Sequence, residues 1–587
     1  MDRHLPRVPP ETASRGRSLA TRVALAFVLL AVATALNAQA ILEGERHHPV
    51  TGRNGMVVTS HDLATDAALT VLKSGGNAVD AAVTAGFVLA VVQPRSGNIG
   101  GGGFMLVAPG DGGPVEAIDY REKAPAAATA TMFQDENGNV VTNRSRFTHL
   151  ASGVPGTVAG LALALERFGT LSLSDALAPA IELAREGFVV PPRFTEGLEQ
   201  AQERLHRWPA SLATFYRADG SAWQPGERFR QPDLAATLQR IANHGTAGFY
   251  QGETARLIVE EMQRHGGLIT AADLANYQPA VRKPVRGSYR GYEVLSMSPP
   301  SSGGTHIIQI LNILEDYPLA ELGHNSAATV HYMAEAMKLA YADRSKFLGD
   351  TDFVEVPLDG LLSKSYAGEL RKGIDADRAR PASEIQPGAP GGYESPETTH
   401  YSIVDRWGNA VSNTYTINFS YGSGITVAGA GFLLNNEMDD FSAKPGEPNA
   451  FGLIGGEANK VEPGKRMLSS MSPTIVRKGD RNFLVTGSPG GSRIITTTLQ
   501  VILNVIDHNM NIQSAVSAPR MHHQWLPDAI FIEQGFSPDT IRLLEDRGHS
   551  VRTTNAMGAI QSILIGEDGT LSGGADPRRS TSSARGY

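Results

Sequence analysis

Residues 381–402 read PASEIQPGAPGGYESPETTHYS. Up to Glu397 the stretch holds four Pro, three Gly and no long apolar run, which is the composition of an exposed, mobile linker. Beyond it the pattern turns to β. Tyr401–Val404 and Ala410–Asn418 flank a turn at Trp407-Gly408-Asn409 and read as a hairpin. Two hydroxyls, Thr398 and Thr399, stand at the boundary. As strand openers they need no explanation beyond β-propensity. The chemical reading is narrower. A threonine hydroxyl is a weak nucleophile until a base takes its proton, and an N-terminal threonine carries its own base, the α-amine. With a reference pKa of about 7.7–8.0 that amine is partly neutral near neutral pH. It exists only if the Glu397–Thr398 bond is cut, and a mobile linker upstream lets the released end leave.

Toward the C-terminus, Thr474–Arg477 and Asn482–Thr486 flank Gly479-Asp480 as a second hairpin, and Ser492–Asp507 reads as a helix. Between them lies Gly487-Ser488-Pro489-Gly490-Gly491-Ser492. This is either a plain strand-to-helix turn or a set of glycine amides at a helix N-terminus, which favours negative charge, including that of an oxyanion. The segment 464–473 (GKRMLSSMSP) pairs two hydroxyls that could cap a turn or bind a carboxylate; the spacing alone does not choose.

Toward the N-terminus the chain is mainly helical. Asp62–Lys73, with Ser60 available as N-cap, is followed by an apolar helix from Ala78 capped by Asn77. Then come the glycine run 97–103, a strand at Phe104–Ala108, the helices Val158–Arg167, Leu173–Glu186, Pro232–Asn243 and Glu253–His265, and a long one over Ser326–Phe347. Strands with packing helices in both halves predict a layered sheet-and-helix body.

The 587 residues carry 52 Lys plus Arg against 60 Asp plus Glu, a formal net charge of −8. This argues against a general nucleic-acid binder. The absence of cysteine excludes disulfides, thiolate nucleophiles and Cys-ligated metals. Val23–Leu36 is an apolar run of 14 behind a basic start and ahead of an A-x-A pattern at Ala38–Ala40. It is too short for the ~20 residues that span a bilayer, so residues 1–40 read as a secretory signal peptide and the mature protein as periplasmic or secreted. No stable membrane span is expected after it is removed. The sequence lacks G-x-S-x-G, H-E-x-x-H, P-loop and EF-hand patterns. His522-His523 is the suggestive histidine pair, but adjacent histidines rarely ligate one metal, and no metal site is expected.

Taken together, the blocks 74–82 (SGGNAVDAA), 97–106 (GNIGGGGFML), 119–124 (DYREKA), 151–160 (ASGVPGTVAG), 398–402 (TTHYS), 434–442 (LNNEMDDFS), 468–474 (LSSMSPT), 487–496 (GSPGGSRIIT) and 574–578 (GADPR) resemble the γ-glutamyltransferase or glutathione hydrolase family of N-terminal-nucleophile hydrolases. The resemblance runs from about Gly55 to Tyr587. It implies a four-layer αββα sandwich made from one precursor that cuts itself before Thr398. The products would be a large subunit, 41–397, whose residues 381–397 are the linker, and a small catalytic subunit, 398–587, joined as a heterodimer. It implies no cofactor. The substrates implied are glutathione and other γ-glutamyl compounds, with water, amino acids or dipeptides as acceptors.

The same resemblance assigns residues. Thr398 would be the nucleophile, Thr416 would orient its hydroxyl, and Gly490 and Gly491 would supply oxyanion amides. Arg121 would pair with the substrate α-carboxylate, for which a planar guanidinium is well shaped. Ser469 and Ser470 would donate to the same carboxylate, and Asn418, Glu437 and Asp440 would hold the α-ammonium. Family members carry Gln or Glu at position 437; Glu437 adds a negative charge that should sharpen preference for a free α-amine. Residues 444–455 resemble a lid loop with Phe451 where bacterial members often have Tyr, so a looser gate is expected. Two other readings compete. A sister glutaryl-cephalosporin-type acylase would share fold and self-cleavage but has less need of Glu437 and Asp440. A non-catalytic exported binding protein would remain one intact chain.

Overall fold

The strand that begins one residue after Thr398 lies inside a sheet, and the rest of the molecule is layered around it. The computed structural model describes residues 47–141, 143–386, 398–447, 453 and 455–587. The signal peptide expected at 1–40, most of the expected linker (387–397) and Phe451 of the expected lid loop lie outside the described residues.

The first strands in chain order are β1 (Val50–Gly52), β2 (Gly55–Thr59), β3 (Gly102–Ala108), β4 (Glu116–Asp119), β5 (Phe188–Val189) and β6 (Arg228–Phe229). They are followed by β7 (Ala280–Arg282), β8 (Val285–Tyr289), β9 (Tyr292–Ser296), β10 (Thr399–Asp405), β11 (Ala410–Thr416), β12 (Thr474–Lys478) and β13 (Arg481–Thr486). The last are β14 (Met521–His522), β15 (Ile530–Ile532), β16 (Val551–Thr553), β17 (Gln561–Ile565), β18 (Leu571–Ala575) and β19 (Ser583–Gly586). One seven-stranded sheet has the order β19-β2-β10-β11-β3-β4-β7, and a second has β1-β18-β17-β13-β12-β9-β8. β5 with β6, and β14 to β16, form small satellites. Both expected hairpins are present: β10 pairs with β11 from Thr399↔Tyr415 to Val404↔Ala410, and β12 pairs with β13.

Strand periodicity explains the layering. In β2, Met56 and Val58 face the second sheet while Val57 faces helices; in β3, Phe104 and Leu106 alternate in the same way with Met105 and Val107. The inward set meets Leu295, Ile475, Val485 and Ile563 to make the core between the sheets. The helices Asp62–Lys73, Ala78–Val92 and Thr157–Phe168 cover the first sheet. Gly303–Leu314, Ala327–Phe347 and Arg493–Ile506 cover the second. The result is the helix–sheet–sheet–helix sandwich expected from the sequence.

The helix Ala78–Val92 is buried along its whole length, as an all-apolar helix in a globular body must be. Asn77 and Asp80 form a capping box. The Asp80 carboxylate also accepts from the Thr170 and Leu171 amides and the Thr170 hydroxyl. Among the described residues, no helix is long and apolar enough to cross a membrane. One expected cap is corrected. The helix Asp62–Lys73 is capped by His61, whose Nδ1 accepts from the Leu63 amide, because the Ser60 hydroxyl is bonded instead to Gln93 and Thr399. The linker segment is also anchored at its start. Ala382–Glu384 forms a short 3-10 turn, with the Ala382 amide on the Asp528 carboxylate and the Trp525 indole N–H on the Ala382 carbonyl.

Candidate active site

Thr398 immediately precedes β10 and is almost completely buried. Its carbonyl oxygen accepts from both terminal nitrogens of Arg579, at 3.3 and 3.4 Å. The next side chain is fixed separately: the Thr399 hydroxyl shares a 2.6 Å hydrogen bond with Ser60. Thr398 lines a cleft together with Thr416, Asn418, Glu437, Asp440, Ser469, Ser470 and Gly491. Eight of the ten residues expected from the sequence therefore share one cavity, although they lie as far apart in sequence as 398 and 491. Arg121 stands behind the lining residues Glu437 and Asp440, and Gly490 immediately precedes the lining Gly491.

Local hydrogen bonds explain the convergence. Thr416 ends β11, and its hydroxyl accepts from the Asn418 amide at 2.8 Å. Asn418 takes a positive φ of 70° and donates its side-chain amide to the Asn436 carbonyl. Asn435 then receives the Glu437 amide and donates to the Gly100 and Gly153 carbonyls. This close approach is why the run at 100–103 must be glycine. A Cβ on Gly101 would lie 2.0 Å from the Thr416 carbonyl oxygen, and one on Gly100 would lie 2.2 Å from that of Leu433. The turn at Ser469–Met471 is set from the other sheet. The Ser469 amide donates to Pro300, and the Ser302 amide and hydroxyl both donate to the Ser469 carbonyl.

The electrostatic centre is Arg121, which is fully buried. Its guanidinium donates to the Glu437 and Asp440 carboxylates, and Glu122 stands at 3.6 Å. Its Nε donates to the Met467 carbonyl. Burial works against this charge, but the three carboxylates more than offset it and hold the guanidinium protonated. Burial also pushes the acids up, against the pull of Arg121: Asp440 to about 6, Glu122 to about 8 and Glu437 well above the ordinary carboxylate range. Three carboxylates share one cation, so protons enter and leave the cluster as a group. In the ligand-free protein, the groups expected to hold a substrate's carboxylate and ammonium thus neutralise each other. A zwitterion can replace that pair with two of its own.

Gly490 and Gly491 have φ of 136° and 57° and lead into the helix Arg493–Ile506. This places a turn with positive-φ backbone at the positive end of a 14-residue helix.

Several side chains at the site escaped the sequence reading. Arg344 lines the cleft and donates to the hydroxyls of Ser302 (2.8 Å) and Ser470 (3.3 Å). Arg579 holds the Thr398 carbonyl. A single buried arginine within a long helix, or a doubled arginine near the chain end, carries no local signal. The His522-His523 pair is engaged elsewhere, His522 with Thr496 and Gln524 and His523 with Asp528. The histidines that do gather with a carboxylate are His149 and His265 around Glu261, and His331 and His549 beside Glu335.

The chain is similar to known proteins over most of its length. The family model described as gamma-glutamyltranspeptidase matches residues 64–586. A protein of Escherichia coli (strain K12) named glutathione hydrolase proenzyme is 52% identical over 547 residues, covering 93% of this chain and 94% of its own. The crystal structure of a cephalosporin acylase from Bacillus halodurans superposes with a TM-score of 0.83 at 30% identity, covering 94% of this chain and 98% of that one. A crystal structure of Helicobacter pylori gamma-glutamyltranspeptidase gives a TM-score of 0.56 at 48% identity, covering 60% of this chain and 97% of that chain.

Proposed function

Because the chain belongs to the gamma-glutamyltranspeptidase family, we propose that it is a self-processing γ-glutamyltransferase and glutathione hydrolase with Thr398 as nucleophile. Maturation begins with attack of the Thr398 hydroxyl on the Glu397 carbonyl carbon. The acyl group moves from nitrogen to oxygen, the α-amine is freed, and water hydrolyses the ester. The large fragment then ends at Glu397 and the small one begins at Thr398.

In turnover the Thr398 amine takes the proton of its own hydroxyl as the oxygen attacks the γ-carbonyl of a γ-glutamyl amide. Negative charge on the carbonyl oxygen is received by the amides of Gly490 and Gly491; a donor of this kind is typically worth about 2.7–4 kcal/mol in the transition state. The C–N bond breaks, the ammonium returns its proton to the leaving nitrogen, and a γ-glutamyl ester remains on Thr398. With glutathione the leaving group is cysteinylglycine. Water then yields glutamate, or the amine of an amino acid or dipeptide yields a new γ-glutamyl compound. Thr416 fixes the hydroxyl. The substrate α-ammonium goes to Asn418, Glu437 and Asp440, and its α-carboxylate to Arg121, Ser469 and Ser470. The gathering of Thr398 with the Glu437–Asp440 acids and the Ser469–Ser470 hydroxyls in one cleft carries this reading. An exported location follows from the sequence at 1–40, and export would put the site in contact with extracytoplasmic thiols.

A glutaryl acylase is the second reading: a cephalosporin acylase superposes with a TM-score of 0.83, but both readings share this fold, so the fold does not choose between them. The acids of the cleft favour the first, since a glutaryl group brings no ammonium to pair with them. Rates with γ-glutamyl- and glutaryl-p-nitroanilide separate the two, and denaturing gels test the self-cleavage that both share. We expect two bands and a strong preference for the γ-glutamyl donor, and one inactive band for Thr398→Ala. An uncleaved yet active wild-type chain would refute the mechanism. Addition of Gly-Gly measures transfer against hydrolysis.

A further inference from the structure

The cleft has a cation on its surface that is not Arg121. Arg121 is fully buried, with its guanidinium engaged by Glu437 and Asp440 behind the wall, whereas Arg344 is the cationic residue lining the cavity itself. It comes from the C-terminal end of the helix Ala327–Phe347. Its guanidinium donates to Ser470 at 3.3 Å and to Ser302 at 2.8 Å. Ser302 in turn donates from both amide and hydroxyl to the Ser469 carbonyl, and the Ser301 hydroxyl donates to the Met471 carbonyl. Arg344 is therefore the charged member of the hydrogen-bonded wall that presents Ser469 and Ser470. Glu437 and Asp440 line the same cleft, so the cavity presents both signs of charge. A guanidinium beside two hydroxyls is a carboxylate site in its own right.

We infer that Arg344 is a specificity-determining residue that, with Ser470, receives the α-carboxylate of the γ-glutamyl donor as a second cation alongside Arg121. The inference rests on the γ-glutamyl reading above and names a residue that reading does not assign. Arg344 lines the cleft with Ser470 already hydrogen-bonded to it, and it stands near enough to Asp440 to attract that carboxylate. Arg344 thus adds a second cation to the serine side of the cleft and selects donors that carry an α-carboxylate.

The test compares inhibition by L-glutamate with inhibition by 4-aminobutyrate, which has the ammonium and lacks the α-carboxylate. Both are measured as Ki against γ-glutamyl-p-nitroanilide in processed wild-type, Arg344→Lys, Arg344→Gln and Arg344→Ala proteins. For Arg344→Gln and Arg344→Ala the glutamate Ki and the donor KM should rise about tenfold or more. The rise in KM should outweigh any fall in kcat, and the Ki of 4-aminobutyrate should stay where it was. Arg344→Lys, which keeps the charge, should recover most of the discrimination. Equal weakening of both inhibitors, or unchanged discrimination in Arg344→Gln, would overturn the inference and leave Arg344 a packing residue. So would failure of all three variants to give folded, processed protein. If the wild type itself does not turn over the γ-glutamyl donor, the proposed function fails instead, and the two failures are distinguishable.

Discussion

Glu122 is fully buried beside Arg121, and among the described residues no other residue donates a hydrogen bond to its carboxylate. Its pKa lies at about 8 in the folded protein against an ordinary 4.5. An acid raised in this way holds its proton more firmly when folded, so its stabilising effect is complete below about 4.5 and is lost as pH climbs to about 8. Chemical denaturation of wild type should show stability falling across that window, and Glu122→Gln should flatten the fall. Asp440, raised to about 6, bears on binding. Only its ionised form attracts an ammonium, so the donor KM should decrease from pH 5 to 7, and Asp440→Asn should abolish that slope. Thr398 stood out because it follows a linker, and the other site residues were legible because their blocks resemble those of the γ-glutamyltransferase family. The mutual neutralisation of Arg121, Glu437 and Asp440 was not. Residues 121 and 437 are brought together only by the packed fold, and a sequence does not state which of its opposite charges meet.

Among elements, the turn at Gly490–Gly491 has little tolerance. A φ of 57° at Gly491 costs an L-residue roughly 1–2 kcal/mol, and 136° at Gly490 belongs to a region that is essentially glycine-only. Gly490→Ala should therefore lower kcat more than Gly491→Ala, and steady-state rates on processed protein measure the difference. The helix Ala78–Val92 depends on Asp80, which ties its first turn to Thr170 and Leu171. Asp80→Ala removes the acceptor from several part-buried donors, each bond worth about 0.5–1.5 kcal/mol net, so a loss of roughly 2 kcal/mol is expected by urea denaturation. Element ends such as Leu173–Glu186 were readable because apolar spacing and flanking glycine are local signals. The cap at His61 was not, because what removes Ser60 from that duty is Thr399, more than 300 positions away. The purpose of the glycines at 100–103 was hidden in the same way, since the atoms they must clear belong to Thr416 and Leu433.

Across the whole molecule, the two proposed fragments share both sheets. In the first, β2 of the large fragment lies between β19 and β10 of the small one, and β11 pairs with β3. In the second, β12, β13, β17 and β18 of the small fragment are bordered by β1 on one side and β9 and β8 on the other. Separating the fragments would break ladders in both sheets and expose the core between them. The cut protein should therefore elute as one species in size-exclusion chromatography while running as two bands on a denaturing gel, and neither fragment expressed alone should give a folded product. The layered class was legible from strand and helix order, but this interleaving was not, because strand neighbours are chosen by long-range pairing. One further consequence follows from the stitching of Tyr587, whose carbonyl oxygen accepts from the amides of Arg53 and Asn54. The two ends of the sandwich lie side by side, so a short peptide could join Tyr587 to the segment ahead of β1. A circularly permuted gene opened at 397/398 would then encode a protein whose first residue, once the initiator methionine is trimmed, is Thr398 itself. Such a chain would carry its nucleophile from the ribosome and would have no maturation step to wait for.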